Sequence, residues 1–273
     1  MTIFLTGGTG FIGKNFISNA LKRNFRIYAL TRDHSPETSN PNLIWVNGDL
    51  KNFDIKSIKN CNTIFHLASH STNHPYDTIT NCIQQNVLDT LNFFQILYEN
   101  NFENFFISGT GFEYGLSANK YKMIPTDSDL KPVGSYPTSK AILSLALKEW
   151  VIQKKVKLFY GRFFHVFGEG EHKNRLWPSL KKAAQDGKDF KMTKGEQIRD
   201  FIEVNELSNL MIDKISFNNL NYSEIKYKNF GSGKSISVKD FADFWWKKFN
   251  AKGKIINSLP YRDGEIMNFV PEL

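Results

Sequence analysis

Three glycines, Gly7, Gly10 and Gly13, sit in the stretch Leu5-Thr-Gly-Gly-Thr-Gly-Phe-Ile-Gly13, between a short apolar run over 2–6 and a segment with helical spacing over 14–23. This order of strand, glycine turn and amphipathic helix restricts the fold more than any other feature of the chain. Gly7 permits a tight turn, Gly10 lets the backbone approach a pyrophosphate, and Gly13 allows the helix to pack closely on the sheet. The helix N-terminus adds unpaired N–H groups that attract an anion. A glycine triplet alone is a weak signal, but the strand before it and the helix after it supply the context a dinucleotide site needs. Thr9, Phe11 and Ile12, between the glycines, are expected to face the same ligand.

Further apolar runs lie over 26–30, 43–46, 62–68, 105–108 and 157–161, separated by helical or polar segments, with long helices expected over 79–99 and 136–153. Near-continuous apolar strands alternating with helices predict a parallel sheet covered on both faces. After Arg162 the rhythm changes to longer loops, with helices expected over 177–186, 204–216 and 238–249. The reading is therefore a dinucleotide-binding domain over 1–161, regained briefly at about 197–204, and a smaller interleaved lobe over most of 162–273.

Composition narrows the class. Hydrophobic residues make up 41% and charged residues 23%, the balance of a globular chain. No run approaches the ~18 apolar residues of a membrane span, and a first strand starting at Thr2 leaves no room for a signal peptide. The two cysteines, Cys61 and Cys82, have no metal-ligand neighbours at useful spacing, so no metal site is expected and they read as thiols of a reducing cytoplasm. The net charge of +8 comes without a basic run interleaved with aromatics, which argues against a nucleic-acid partner. It suits either a lysine-rich surface or the steering of an anionic ligand.

The segment Tyr136-Pro-Thr-Ser-Lys140 puts a phenol and an amine four residues apart on an expected helix, hence on one face. A free phenol titrates near ~10. A neighbouring ammonium and a bound nicotinamide cation would favour its ionised form and ready it for proton exchange.

The G-x-x-G-x-x-G spacing and the Tyr-x-x-x-Lys pair together resemble the short-chain dehydrogenases/reductases. Gly48-Asp49-Leu50, His66-Leu-Ala68 and Asn86-Val-Leu-Asp-Thr90 are similar to segments of its extended branch, the sugar-nucleotide epimerases, dehydratases and reductases. The resemblance covers nearly the whole chain. It implies a Rossmann-type doubly wound α/β fold, a cofactor site that adds Asp49, Leu50, Leu67, Ala68, Ser69, Asn86, Tyr136 and Lys140 to the glycine turn, and a homodimer. The end of the second strand bears on which cofactor. Thr31 and Arg32 stand where NAD-preferring relatives carry an acidic residue, and a guanidinium there suits a 2′-phosphate. NADP is the favoured cofactor, while Asp33 would suit NAD if that strand ran two residues further.

Ile107-Ser-Gly-Thr-Gly-Phe-Glu-Tyr-Gly115 resembles the family segment that carries the catalytic hydroxyl, which falls on Thr110, with Ser108 as the fallback. The family's 4,6-dehydratases follow that hydroxyl with Asp-Glu. Here Gly111-Phe112 follows, and neither side chain moves a proton. On the substrate side the resemblance implies Thr110, Gly111, Phe112, His165, Arg199 and Arg262, with the two arginines clamping a diphosphate and Asp200 and Asn229 structural. The expected activity is the NADPH-dependent reduction of a nucleoside-diphosphate 4-keto-6-deoxysugar by Thr110, Tyr136 and Lys140. A 4-epimerase with bound NAD is the alternative, and a dinucleotide-sensing regulator without catalysis is the distant one.

Overall fold

The computed structural model describes residues 1–32, 37–262 and 264–273, so Asp33 lies outside the described residues. In chain order the first half comprises β1 (Thr2–Thr6), α1 (Phe11–Lys22), β2 (Arg26–Thr31), β3 (Leu43–Asn47), β4 (Thr63–His66), α2 (Ile79–Ile83), α3 (Asp89–Glu99), β5 (Asn104–Thr110) and α4 (Ser135–Lys154). The second half comprises β6 (Lys157–Phe163), β7 (His165–Phe167), α5 (Leu176–Gln185), β8 (Phe190–Met192), β9 (Ile198–Glu203) and α6 (Val204–Lys214). It closes with β10 (Glu224–Phe230), β11 (Ser235–Ser237), α7 (Val238–Lys248), β12 (Ile255–Asn257) and β13 (Asn268–Phe269).

Seven strands form one parallel sheet in the order β10-β6-β5-β4-β1-β2-β3. Strand β1 shows why both faces are covered. Its side chains alternate, sending Phe4 into a core shared with Phe93, Phe94, Leu147 and Trp150 of α3 and α4. Ile3 and Leu5 enter the opposite core with Phe16, Ala20, Leu207 and Met211 of α1 and α6. The chain winds outward from β1 to β3 and then crosses back to β4, so the strand order reverses between β1 and β4. The loops leaving those two strands must part, which opens a crevice at their carboxyl ends.

The lobe is built on a smaller sheet, β11-β9-β13, with β7 also paired to β9, and on the two-stranded pair β12-β8. Leu180, Met192, Ala242 and Trp246 form its core between α5 and α7. The return of the chain to the large sheet differs from the expectation of 197–204. Residues 198–203 are β9, inside the small sheet, and the large sheet is rejoined by β10 after α6 has packed on α1. The 79–99 helix is interrupted by a π-helical turn, Gln84–Leu88, which carries Asn86. Among the described residues no helix is long and apolar enough to cross a membrane.

Candidate active site

Two cavities of about 370 Å³ each meet at the crevice and share Gly7, Thr9, Arg32, Ala68 and Ser69. Gly7 has φ +75°, and a Cβ there would lie 2.6 Å from the Ala68 nitrogen, so the turn and the end of β4 touch through bare backbone. A Cβ on Gly13 would collide with the Gly7 carbonyl. Gly13 thus makes room for the turn itself. Gly10 is the N-cap of α1 and has no capping side chain. A Cβ there would meet only the Gly7 oxygen, at 3.3 Å, so the space over the first-turn N–H groups is open to an anion. This cradle fits a pyrophosphate.

The first cavity is lined by Thr31, Arg32, Asp49 and Leu50 as well as by the turn. Phe11, Ile12, Gly13 and Leu67 line the second. Asn86 lines neither. Its oxygen accepts from His70 N (2.7 Å) and Ser69 Oγ (3.4 Å), and its nitrogen donates to the His70 carbonyl (3.1 Å) and Ser139 Oγ (3.0 Å). The side chain is used up fastening the loop after β4 to α4, behind the cavity wall.

Tyr136, on the first turn of α4, opens into the second cavity beside Ser108, Thr110 and Phe112. Burial raises the Tyr136 phenol above its ordinary value and outweighs the hydrogen bond to Ser69 that pulls it down. The lowering expected from Lys140 is not among the main influences on it; the downward pulls come from Ser69 and Arg175. Lys140 is one helical turn further in and 2% exposed. Burial pushes its ammonium down to about 8, against the pull of Glu113.

Thr110 ends β5 and caps the short turn Gly111–Glu113: its Oγ1 accepts from Phe112 N at 3.3 Å, and its own N–H donates to Glu113 Oε1 at 2.8 Å. That use of a lone pair leaves the Thr110 O–H to donate outward. Gly111 does not line the cavity. A Cβ on it would meet the Phe164 ring at 3.0 Å, so an acidic side chain could enter here only by displacing that ring.

Beneath Thr110 lies a charged layer that the sequence alone did not reveal. Glu113 is fully buried and pairs with Arg162 Nε at 2.9 Å. The Tyr160 hydroxyl lies 3.0 Å from both Glu113 Oε1 and the Lys140 carbonyl, joining the pair to α4. Arg162 also donates to Tyr114 Oη and stacks over the Tyr114 and Tyr227 rings at 4.8 and 4.9 Å. Burial opposes the Arg162 charge, but Glu113 holds it above the ordinary guanidinium range.

On the substrate side the structure redistributes the expected roles. Arg199 is buried and engaged, donating to Glu265 Oε1 at 2.7 Å and to the Ile198 carbonyl at 2.9 Å. His165 packs among Phe112, Phe201 and Phe269, and burial followed by the charges of Arg199 and Arg175 holds it neutral. Neither lines the cavity. Asp200 fastens the turn after β10 by accepting from Ser232 N and Gly233 N, both at 2.7 Å. Asn229 accepts from Tyr114 Oη at 2.7 Å.

Arg175, just before α5, lines the cavity with Tyr136. It and Arg262 both bear on His74 and Tyr76, two stacked rings 3.8 Å apart, the second lying 5.6 Å from the Tyr136 ring. Burial lowers His74 first, and the two guanidiniums lower it further. Of the arginines on this side, Arg175 lines the cavity with Tyr136, whereas Arg199 and Arg262 do not. No motif marked Arg175, since the His74 and Tyr76 rings on which it bears lie about 100 residues upstream.

Comparison with known proteins bears on the fold and the family. The family model described as "NAD dependent epimerase/dehydratase family" matches residues 3–217. The chain is 28% identical to CDP-abequose synthase from Salmonella muenchen, over 97% of this chain and 87% of that one. It is likewise 28% identical to dTDP-4-dehydro-6-deoxyglucose reductase from Escherichia coli, over 93% and 83%. Among solved structures, a UDP-N-acetylglucosamine 4-epimerase from Methanobrevibacter ruminantium M1, in complex with UDP-N-acetylmuramic acid, superposes with a TM-score of 0.86 at 23% identity, covering 100% of this chain and 89% of that one.

Proposed function

Because the chain belongs to the NAD dependent epimerase/dehydratase family, we propose that it reduces the 4-keto group of a nucleoside-diphosphate 6-deoxysugar at the expense of NADPH. The reading rests above all on one observation: Tyr136 and Thr110 open together into a cavity continuous with the glycine turn, and the two residues that follow Thr110 in the chain are Gly111 and Phe112, not acids. The glycine turn and the bare N-terminus of α1 would hold the pyrophosphate, and Thr31 and Arg32 the adenine-side ribose with its 2′-phosphate. When bound, the dinucleotide supplies a hydride to the ketone carbon. Tyr136 gives its phenolic proton to the carbonyl oxygen as that oxygen gains charge. Thr110 donates a hydrogen bond to the same oxygen and fixes its direction. Lys140, one helical turn behind the phenol and lining neither cavity, would lend positive charge as the phenolate forms. Arg175 and Arg262 would grip the diphosphate.

The lack of an acid at Gly111 and Phe112 supports reduction over elimination of water. The name of one 28%-identical relative points the same way, a dTDP-4-dehydro-6-deoxyglucose reductase. A 4-epimerase that keeps NAD bound is the second reading, favoured by the name of a relative 24% identical over 97% of this chain and 84% of that one, a UDP-glucose 4-epimerase from Cyamopsis tetragonoloba. We also propose a homodimer through the long helices: Leu145 (62% exposed) and Ile152 (50% exposed) share one apolar face of α4.

The test is NADPH consumption, followed by nicotinamide absorbance, against a panel of nucleotide-linked 4-ketosugars. Stoichiometric NADPH oxidation supports the reductase. Tightly retained NAD, with sugar interconversion and no net NADPH use, would replace it with the epimerase.

A further inference from the structure

Glu171 is a buried acid that the mechanism above does not use. Its side chain is 7% exposed and lines the cavity that holds Tyr136. One oxygen, Oε1, accepts from Arg175 Nε at 3.2 Å. The other, Oε2, is fully buried and has no hydrogen-bond partner. The loop is bent to put it there: Gly168 and Gly170 have φ +139° and +89°, and Glu171 N–H closes the turn onto the Gly168 carbonyl at 3.2 Å. A carboxyl oxygen stripped of water and left unpaired is costly, and the cost disappears when a ligand brings a donor to it.

We infer that Glu171 is a ligand-recognising residue, whose Oε2 accepts a hydrogen bond from an N–H or O–H group on the molecule filling this cavity. The inference rests on the reading that the cavity receives a dinucleotide and a nucleotide-linked sugar. Both carry suitable donors, the nicotinamide carboxamide in one and the ring hydroxyls in the other. Two features support a ligand partner over a purely structural one. Arg175 already satisfies the ion pair through Oε1, so Oε2 is surplus to it. Burial, more than any neighbouring charge, pushes the carboxyl up to about 7 against the pull of Arg175 and the Gly168 backbone, so the group is held largely out of water.

The experiment is calorimetric titration of the folded wild-type chain and of Glu171→Gln with three ligands: NADPH, a nucleoside diphosphate, and that diphosphate linked to a 6-deoxyhexose. Glutamine keeps the size and the acceptor for Arg175 but turns the free position into a donor. The expected result is a loss of about tenfold or more for one donor-bearing ligand, with the bare nucleoside diphosphate unchanged. Loss confined to the sugar nucleotide identifies a sugar hydroxyl as the partner, and loss confined to NADPH identifies the carboxamide. Unchanged affinity for both overturns the inference, as does equal weakening of all three ligands, which would mean that Glu171 only shapes the loop through Arg175. Glu171→Ala, which removes the acceptor without adding a donor, gives the same pattern if the glutamine variant is unstable. A wild-type chain that binds NADPH but no sugar nucleotide would end the proposed function, while the NADPH titrations still decide the role of Glu171.

Discussion

The carboxylate of Glu113 and the guanidinium of Arg162 meet at 2.9 Å with side chains 0% and 5% exposed, directly under the turn that carries Thr110. The pair ties β5 to β6 and, through Tyr160, to the backbone of α4 at Lys140. It thereby fixes the distance between the hydroxyl and the phenol on which the proposed chemistry depends. Removing one partner leaves the other charged and dry. Arg162→Met should destabilise the chain by about 3–5 kcal/mol, read as a lower midpoint in chemical denaturation.

Tyr136→Phe keeps the ring packed against Tyr76 and removes only the proton donor. Turnover should fall by roughly 10²–10⁴-fold, a loss far larger than any change of dinucleotide affinity in equilibrium titration. A chain that merely senses dinucleotide would show no functional loss.

Arg32 lines the first cavity from the end of β2. Arg32→Ala should weaken NADPH by roughly ten- to hundredfold while leaving NADH nearly untouched. The ratio of kcat/KM for the two cofactors is the measurement.

Acid should unfold this chain partly through His66. Its Nδ1 lies 2.8 Å from Thr6 Oγ1 and its Nε2 3.3 Å from Thr90 Oγ1, and burial, aided by Lys140, pushes its pKa from 6.5 down to about 3. Between those values the unfolded chain binds a proton that the folded chain refuses. Stability from this group is therefore complete above 6.5 and is lost as the pH falls toward 3. His66→Gln should flatten the decline of unfolding free energy over that window in denaturant titrations at successive pH values.

Leu145→Glu places a charge on the exposed face of α4. If that face pairs two copies, the substitution should convert a dimer into a monomer in light scattering after size exclusion, with the circular dichroism spectrum retained.

What could be read from the residues alone were features held within one stretch of chain. The 7–13 turn and the Tyr136–Lys140 spacing each lie on a single local element, so backbone geometry alone brought their members together. Strand β10 escaped because Glu-Ile-Lys-Tyr-Lys-Asn-Phe alternates charged and apolar residues, as a sheet edge does, whereas the other strands of this sheet run nearly continuously apolar. Only the family resemblance directs Arg199 to a ligand, and nothing in its own vicinity foretells Glu265, 66 residues on. Arg175 went unseen for the converse reason: the rings and the guanidinium that give it meaning arrive from the loop around 74–76 and from Arg262. Long-range ion pairing is the layer that spacing does not encode.

The late arrival of β10 has a bearing on how this chain can be divided. Residues 1–161 do not make a separable unit, because the strand that covers the flank of β6 enters only after the lobe has begun. A fragment ending there would present the row of backbone groups along β6 to solvent and invite pairing between molecules. Shortened or fused versions should therefore retain everything through Phe230.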